Sequence, residues 1–297
     1  MNILAIDIGG SKISAGITDA GGKILDLKKE SLQKGTNADS LLAAIKGCCD
    51  KLAADHSFDR VGVTIPGLAD PKTGMWVYAP FSGIKNFPIA EKIKAVYKKP
   101  VYIENDVNAC AVGEKRFGCC KDIDDFIWIT VSNGIGGSIF ANGRLYSGHG
   151  GNAGEIGHIK VSGDKNFLCG CGDYGCVEAV AAGPGIAKRY KDKTGENLTA
   201  EKISQKARAG GIPANAVMYE TGVYIGIALA AAVNMLNPEA AVFGGGVSQS
   251  FDLIGQGIKD ALEKYMFKAA NGKIKLMQTA LGYDAALIGA AAVANRL

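Results

Sequence analysis

Asn2-Ile-Leu-Ala-Ile-Asp7-Ile-Gly9-Gly10-Ser11-Lys12-Ile-Ser-Ala-Gly-Ile-Thr18 reads as a buried strand, a tight turn and a returning strand. The first strand is an apolar run that ends in a carboxylate, Asp7. In the second, Ile13, Ala15 and Ile17 alternate with more polar neighbours. Gly21-Gly22 then turns the chain into a third strand over Lys23 to Ser31. The first corner has the composition of a phosphate cradle. Gly9 and Gly10 let an anion approach backbone N–H groups, and Ser11 and Lys12 add a hydroxyl and a charge. Asp7 is suited to hold Mg²⁺, directly or through water. A plain hairpin turn uses the same residues, so this corner alone leaves both readings open.

The pattern recurs. Phe126 to Val131 is strand-like, Ser132-Asn133-Gly134-Ile-Gly-Gly137 is a second Gly-rich turn, and Ser138 to Ala141 returns, with Asn142-Gly143 as a hairpin signal. Two such corners facing one another would cradle a polyphosphate from both sides. Between them the chain alternates. A helix is expected over Ala38 to Ala54, started by Asn37 or Asp39, then a strand over Arg60 to Ile65 ending at Pro66-Gly67. A looser stretch with Pro71, Gly74 and Pro80 follows, then a helix opened by Pro88 and a strand over Pro100 to Glu104. That strand runs into Asn105-Asp106 and a helix from about Val107 to Phe117. Such strand-to-helix switch points are where α/β proteins place ligands. A carboxylate there can take a proton from an attacking hydroxyl, or it can simply cap the helix. Locally the two readings of Asp106 are even. Asn105 beside it can donate to, or accept from, a neighbouring hydroxyl.

Gly154-Glu155-Ile-Gly-His158, Cys169-Gly-Cys171 and Cys176-Val-Glu178 bring one histidine, three cysteines and two glutamates into a Gly-rich span. Three Cys and one His are a complete tetrahedral zinc set. Cys-x-Cys lets two thiolates reach one ion from a tight turn, and Gly172 and Gly175 supply bends before Cys176. The expectation is a structural zinc fixing a hairpin-like loop that presents Glu155, His158 and Glu178 to a polyhydroxylated substrate. Gly170-x-Gly172-x-x-Gly175 also matches a dinucleotide fingerprint, but it follows no strand and opens no βαβ unit. Helical spacing covers Gly183 to Thr194, Thr199 to Ala209 and Pro213 to Leu236. Ala240 to Phe243 leads as a strand into Gly244-Gly245-Gly246, a turn able to lie against a nucleotide or merely to pack tightly. A strand over Lys273 to Thr279 and a helix over Ala285 to Asn295 close the chain.

At 297 residues there is room for about two domains. Hydrophobic residues make up 47% and charged residues 21%, an ordinary globular balance. The net charge of +4 is spread among acids, with no basic arm or stripe to suggest nucleic acid. The apolar run Val223 to Val233 meets Asn234 and Asn237 too soon for a membrane span. The first residues lack a signal-peptide layout. Pairs such as Cys48-Cys49 and Cys119-Cys120 are unlike a secreted disulfide framework, so a reducing cytoplasm is the expected compartment.

Taken in order, Asp7-x-Gly-Gly-Ser-Lys12, Glu104-Asn-Asp106-x-Asn108-x-x-Ala111, Gly154-Glu-x-Gly-His158, Cys169-x-Cys171-Gly-x-x-Gly-Cys176-x-Glu178 and Gly244-Gly-Gly-Val-Ser248 resemble the ROK family of sugar kinases and repressors, specifically its glucokinase-like kinases. The resemblance covers essentially the whole chain. It implies an actin-like, ribonuclease-H-like α/β kinase fold of two lobes, with the zinc-bound loop in the larger. The expected lobes are residues 1–107 plus 284–297, small, and residues 108–283, large. The sugar would lie in the cleft between them, and closure would exclude water. By the resemblance Asp106 is the general base, which tips the even reading toward catalysis. Gly67, Asn105, Asp106, Glu155, His158 and Glu178 would bind the sugar. His158 would also be a zinc ligand with Cys169, Cys171 and Cys176, one ring nitrogen on the metal and the other toward the sugar. Asp7, Gly9, Gly10, Ser11, Lys12, Asn133 and Gly134 would handle Mg²⁺ and the ATP phosphates, and Gly244, Gly245 and Gly246 would approach the adenosine. A homodimer is implied.

The expected reaction is ATP-dependent phosphorylation of the 6-hydroxyl of glucose or a related hexose. An N-acetylhexosamine kinase or a fructokinase is the alternative. The family's repressors carry a helix-turn-helix ahead of the first phosphate turn. With Asp7 seven residues from the start, none is expected here. A non-catalytic sugar sensor is opposed by the joint presence of Asp7, Lys12 and Asp106. Three departures from the family pattern stand out: Ser11 for threonine, Ser132-Asn133-Gly134 for Gly-Thr-Gly, and Phe81-Ser-Gly-Ile84 for an Asn-x-x-Gly-Trp type segment near the sugar.

Overall fold

A computed structural model describes residues 1–32, 37–79 and 82–295. It divides into two compact units. The first comprises Met1–Asp122, Ser147–Asn152 and Thr279–Leu297, and the second Ile123–Tyr146 and Ala153–Gln278.

In the first unit the opening meander forms as β1 (Ile3–Ile8), β2 (Lys12–Thr18) and β3 (Ile24–Ser31). Asn37 caps helix Ala38–Asp55, its side chain accepting from the Ser40 N–H. β4 (Arg60–Ile65) follows and lies parallel to β1. The stretch expected to be loose is a small antiparallel sheet of β5 (Leu68–Asp70), β6 (Met75–Tyr78) and β7 (Lys85–Phe87). Its strands of three or four residues are too short to show alternation. What anchors it is Trp76, fully buried, whose indole N–H donates to the carbonyls of Pro66 and Tyr78. Phe81 lies outside the described residues. Helix Ile89–Tyr97 and β8 (Val101–Asn105) complete the sheet order β3-β2-β1-β4-β8.

Both faces of that sheet are covered, which explains its near-continuous apolar strands. Leu4, Ile6 and Ile8 pack with Leu41, Ile45 and Leu52 of the first helix and Ile89 and Ile93 of the next. Ile3 and Ala5 pack on Leu287, Ala290, Ala291 and Ala294 of the C-terminal helix Ala285–Ala294. The approach is close: a Cβ on Gly62 would sit 1.9 Å from the Ala290 carbonyl oxygen, and one on Gly289 would sit 2.4 Å from that of Ala109.

The second unit repeats the plan. β9 (Phe126–Val131), β10 (Ile135–Ala141) and β11 (Arg144–Leu145) form a meander, and β12 (Ala240–Gly244) and β13 (Lys275–Gln278) add in parallel, in the order β11-β10-β9-β12-β13. Asn142 and Gly143 turn the hairpin with φ of 53° and 72°. Ile135, Gly136 and Gly137, expected in the turn, belong to β10, leaving Ser132 to Gly134 as the corner. Ile135 is buried and pairs with Val131, so its side chain draws the strand start forward. One face of this sheet packs on helices Gly183–Thr194, Ala200–Arg208, Ile212–Leu236 and Phe251–Tyr265. Helix Ile212–Leu236 is long and apolar enough to cross a membrane by composition, but Val217, Ile225, Leu229 and Val233 bury it in this core.

Candidate active site

One group of candidate residues stands at the carboxyl ends of the parallel strands β1, β4 and β8. Asp7, Thr64 and Glu104 fall in one row of the sheet, Asp7 opposite Thr64 and Thr64 opposite Glu104. Thr64, fully buried, donates its hydroxyl to Asp7 Oδ1 at 3.0 Å. Burial raises the Asp7 carboxyl above its ordinary value, opposed by the Thr64 hydroxyl and the positive charge of Lys12. Gly9 to Ser11 round the corner, with the Gly9 N–H donating to the Lys12 carbonyl at 2.8 Å. Gly10, Ser11 and Lys12 are exposed.

Directly beyond Glu104 the chain turns from strand to helix. Asn105 is the cap of helix Asp106–Phe117: its Oδ1 accepts from the Val107 and Asn108 N–H groups at 2.9 and 3.1 Å. Its amide donates to the Gly67 carbonyl and to Asp106 Oδ1, both at 3.0 Å. Capping therefore falls to Asn105, and Asp106 is the first helical residue, half-buried. Burial, and after it the negative charge of Asp7, pushes the Asp106 carboxyl up to about 7. A carboxyl poised there is half-ionised at neutral pH, the condition under which a general base works best. Glu104 opens the Glu104-Asn-Asp106 motif, but the sequence alone assigns it no role. It is buried, and its Oε1 accepts from the Asn105 N–H and the Asn108 amide, both at 3.2 Å, so it braces the corner from behind.

A second group of candidate residues belongs to the second unit. Glu155 precedes, and His158 ends, a 3₁₀ turn, Ile156–His158, pressed against β10. The contact is backbone on backbone. A Cβ on Gly137 would meet the Gly154 carbonyl at 2.7 Å, and one on Gly157 would meet the Ile135 carbonyl at 2.0 Å. That is the physical content of the Gly-x-x-Gly spacing around Glu155. The cysteine stretch is a hairpin: Leu168 bridges Tyr174, Lys160 bridges Cys176, and the Cys169 N–H donates to the Asp173 carbonyl at 2.7 Å. Cys176 then starts a short helix, Val177–Ala181, that carries Glu178 and was not expected, since five residues show no helical period. Arg189, buried, holds that helix by donating from Nε to the Val180 carbonyl at 3.0 Å. Glu178 reaches back to the Gly-rich corner. Its Oε2 accepts from the Ile135 N–H at 3.0 Å, and a Cβ on Gly134 would come within 2.7 Å of it.

His158, Cys169, Cys171 and Cys176 bring one donor atom each to within 4.8 Å of one another. Zinc bonds of about 2.3 Å to sulfur and about 2.0 Å to nitrogen imply tetrahedral edges of about 3.8 Å (S–S) and about 3.5 Å (S–N). Cys171 Sγ to Cys176 Sγ is 3.7 Å, and Cys169 Sγ to His158 Nδ1 is 3.6 Å. The donor set and its spacing therefore fit a tetrahedral ion. His158 turns its other nitrogen outward, Nε2 lying 3.7 Å from Glu155 Oε2. Burial pushes the Cys169 thiol up to about 12, whereas the Asp173 backbone N–H holds Cys171 below its ordinary value.

The three glycines after β12 divide. A Cβ on Gly244 would strike the Trp128 ring at 2.3 Å, and one on Gly245 would strike the Val131 carbonyl at 2.5 Å. Both are needed for packing. Gly246 has open space on its Cβ side and is the one free to meet a ligand.

Duplicated α/β units with a carboxylate at the end of the first strand make this a protein of the actin-like class. The chain matches the ROK family over residues 3–296, and it belongs to that family. It is 32% identical to a glucokinase of Halalkalibacterium halodurans over 96% of this chain and 92% of that one. The structure of a Streptomyces griseus ROK glucokinase in complex with glucose and AMPPNP superposes with a TM-score of 0.86, at 31% identity, covering 99% of both chains. The DNA-binding regulator NagC of Escherichia coli, named in its relatives as the N-acetylglucosamine repressor, is 30% identical over 80% of this chain, which spans 60% of that regulator's length.

Proposed function

We propose that the protein is a sugar kinase transferring the γ-phosphoryl group of ATP to the 6-hydroxyl of glucose or a related hexose. The observation that carries the reading is Asp106, held by Asn105 at the carboxyl end of β8 with its carboxyl raised to about 7. In this scheme Asp106 takes the hydroxyl proton as its oxygen attacks. Asn105 orients Asp106, and with Gly67, Glu155, His158 and Glu178 it forms the sugar-binding set. The amide of Asn105 is already fully engaged by protein, so its part is mainly to fix the base.

Phosphoryl transfer needs alignment and charge neutralisation more than covalent chemistry. Asp7, Gly9, Gly10, Ser11 and Lys12, with Asn133 and Gly134, form the proposed phosphate and Mg²⁺ set. Bound Mg²⁺ would supply charge neutralisation on the phosphates and would relieve the mutual repulsion of Asp7 and Asp106. Gly246 is the proposed approach to adenosine, with Gly244 and Gly245 shaping it. Structural zinc would sit on His158, Cys169, Cys171 and Cys176, steering the imidazole so that Nε2 serves the sugar. A homodimer in the cytoplasm, with no nucleic-acid or membrane partner, completes the reading.

An N-acetylhexosamine is the second candidate sugar, favoured by the 30% identity to the N-acetylglucosamine repressor. A coupled ADP-release assay with Mg-ATP across glucose, GlcNAc, ManNAc, fructose, mannose and allose tests both. One strong responder establishes the kinase and names its sugar. Silence across the panel from folded, zinc-loaded protein defeats the reading in favour of a sugar sensor.

A further inference from the structure

Lys160 follows His158 by two residues and pairs with Cys176 across the hairpin. Its ammonium has three hydrogens, and three acceptors take them: Cys176 Sγ at 3.2 Å, the Tyr174 carbonyl at 2.8 Å and Asp173 Oδ2 at 2.7 Å. Cys176 is the fully buried member of the cysteine set. A positive charge is thus aimed at the most deeply buried sulfur of the set, from a side chain whose direction is pinned by two further bonds.

We propose that Lys160 is a positioning and charge-balancing residue of the zinc site, acting through Cys176. The inference rests on the zinc reading above. The charge count gives the reason. Three thiolates and a neutral imidazole around Zn²⁺ leave a net charge of −1, part of it in a low-dielectric interior. The Lys160 N–H draws electron density from Cys176 sulfur and balances that charge, so the excess negative charge does not weaken the buried bond. Asp173 fixes the ammonium in place, and the Tyr174 carbonyl ties it to the tip of the hairpin. Outer partners of this kind typically contribute 10–100-fold to metal affinity.

The test uses the full-length protein, wild type and K160M, loaded with Zn²⁺ for competition against a chromogenic chelator and with Co²⁺ for absorption spectroscopy. K160M keeps the stem and loses the N–H and the charge. The expected results are zinc binding weaker by roughly 10-fold or more, and a sulfur-to-cobalt charge-transfer band moved to lower energy because Cys176 sulfur becomes a richer donor. K160R, which retains charge and N–H groups, should recover much of both. A lysine that only staples the hairpin would leave the cobalt band in place. An unshifted band with unchanged zinc competition in K160M overturns this inference alone. Absence of any thiolate-to-cobalt band in the wild type overturns it together with the zinc reading.

Discussion

Asp106 is a carboxylate whose surroundings oppose its charge. Burial and Asp7 both raise it, and the backbone N–H groups of Val107 and of Asp106 itself, with the Asn105 amide, favour ionisation. Two consequences follow. If Asp106 is the base, kcat/KM should fall as pH drops through about 7 and level off above it. A profile flat between pH 5.5 and 8.5 would rule it out. D106N should keep sugar binding, read by calorimetry, while turnover falls by about 10³-fold or more, since a positioned base contributes about 10²–10⁴-fold. The same shift has a stability sign. A carboxyl raised on folding stabilises the native state fully below its unfolded value near 4, and that contribution is lost as pH rises through about 7. D106N should therefore be more stable than wild type at pH 8 by about 1–2 kcal/mol, after discounting for the partial exposure of Asp106. Equal melting temperatures at pH 5 and pH 8 for the pair would contradict this.

The helix that starts with Asp106 is secured at its other end by Glu114, which is fully buried. Glu114 Oε1 accepts from the Thr279 hydroxyl and from the Ala280 N–H, the latter at 3.0 Å, and Oε2 accepts from the Cys119 N–H at 2.8 Å. One carboxylate thereby joins the helix to the segment leading into the C-terminal helix. E114A leaves these buried N–H and O–H donors without their acceptor and should cost about 1–3 kcal/mol, measured as a fall in the denaturant midpoint. A cost below 1 kcal/mol would mean that water replaces the carboxylate. On the zinc reading, the cysteine hairpin depends on its ion for the placement of the ligand side chains. Cys171 and His158 are exposed, while Phe167 and Val177 tie the base of the loop to the core. C176S should lose the zinc and weaken sugar binding together, with the far-ultraviolet circular dichroism nearly unchanged. Full zinc stoichiometry in that variant would remove Cys176 from the ligand set.

Across the whole chain, one strand order is used twice, a meander followed by two parallel strands. In the first unit the shared layer is thin, helix on sheet and helix on helix at backbone distance. Gly289 lies so close to the Ala109 carbonyl that any side chain must push the C-terminal helix away. G289V should destabilise by at least about 3 kcal/mol, the upper end for overpacking, and should lower the melting temperature without altering zinc content. Chelation of the metal, in contrast, is expected to unfold only the hairpin of the second unit, since the large apolar cluster of that unit does not include the ligand residues. A single global transition lost on chelation would show that the ion supports the whole unit.

Strands and helices with clear periods were legible almost to the residue, as with Lys12–Thr18, Arg60–Ile65, Phe126–Val131 and Gly183–Thr194. Their burial pattern is written locally, in alternation or 3.6-residue spacing. The clustering of His158, Cys169, Cys171 and Cys176 was legible for a similar reason, because soft donors are rare and their chemistry is independent of the backbone around them. The short sheet at Leu68–Phe87 and the helix at Val177–Ala181 were not legible, since each is too short to carry a period and is held by packing on a core built from elsewhere in the chain, with Trp76 bonded to Pro66 and Arg189 to Val180. The roles of single residues were the least visible. That Asn105 caps while Asp106 is left to the solvent side, that Gly244 and Gly245 serve packing while Gly246 stays open, and that Lys160 points at Cys176 are matters of direction. Direction is set by which neighbours arrive from elsewhere in the chain, and no local spacing encodes it.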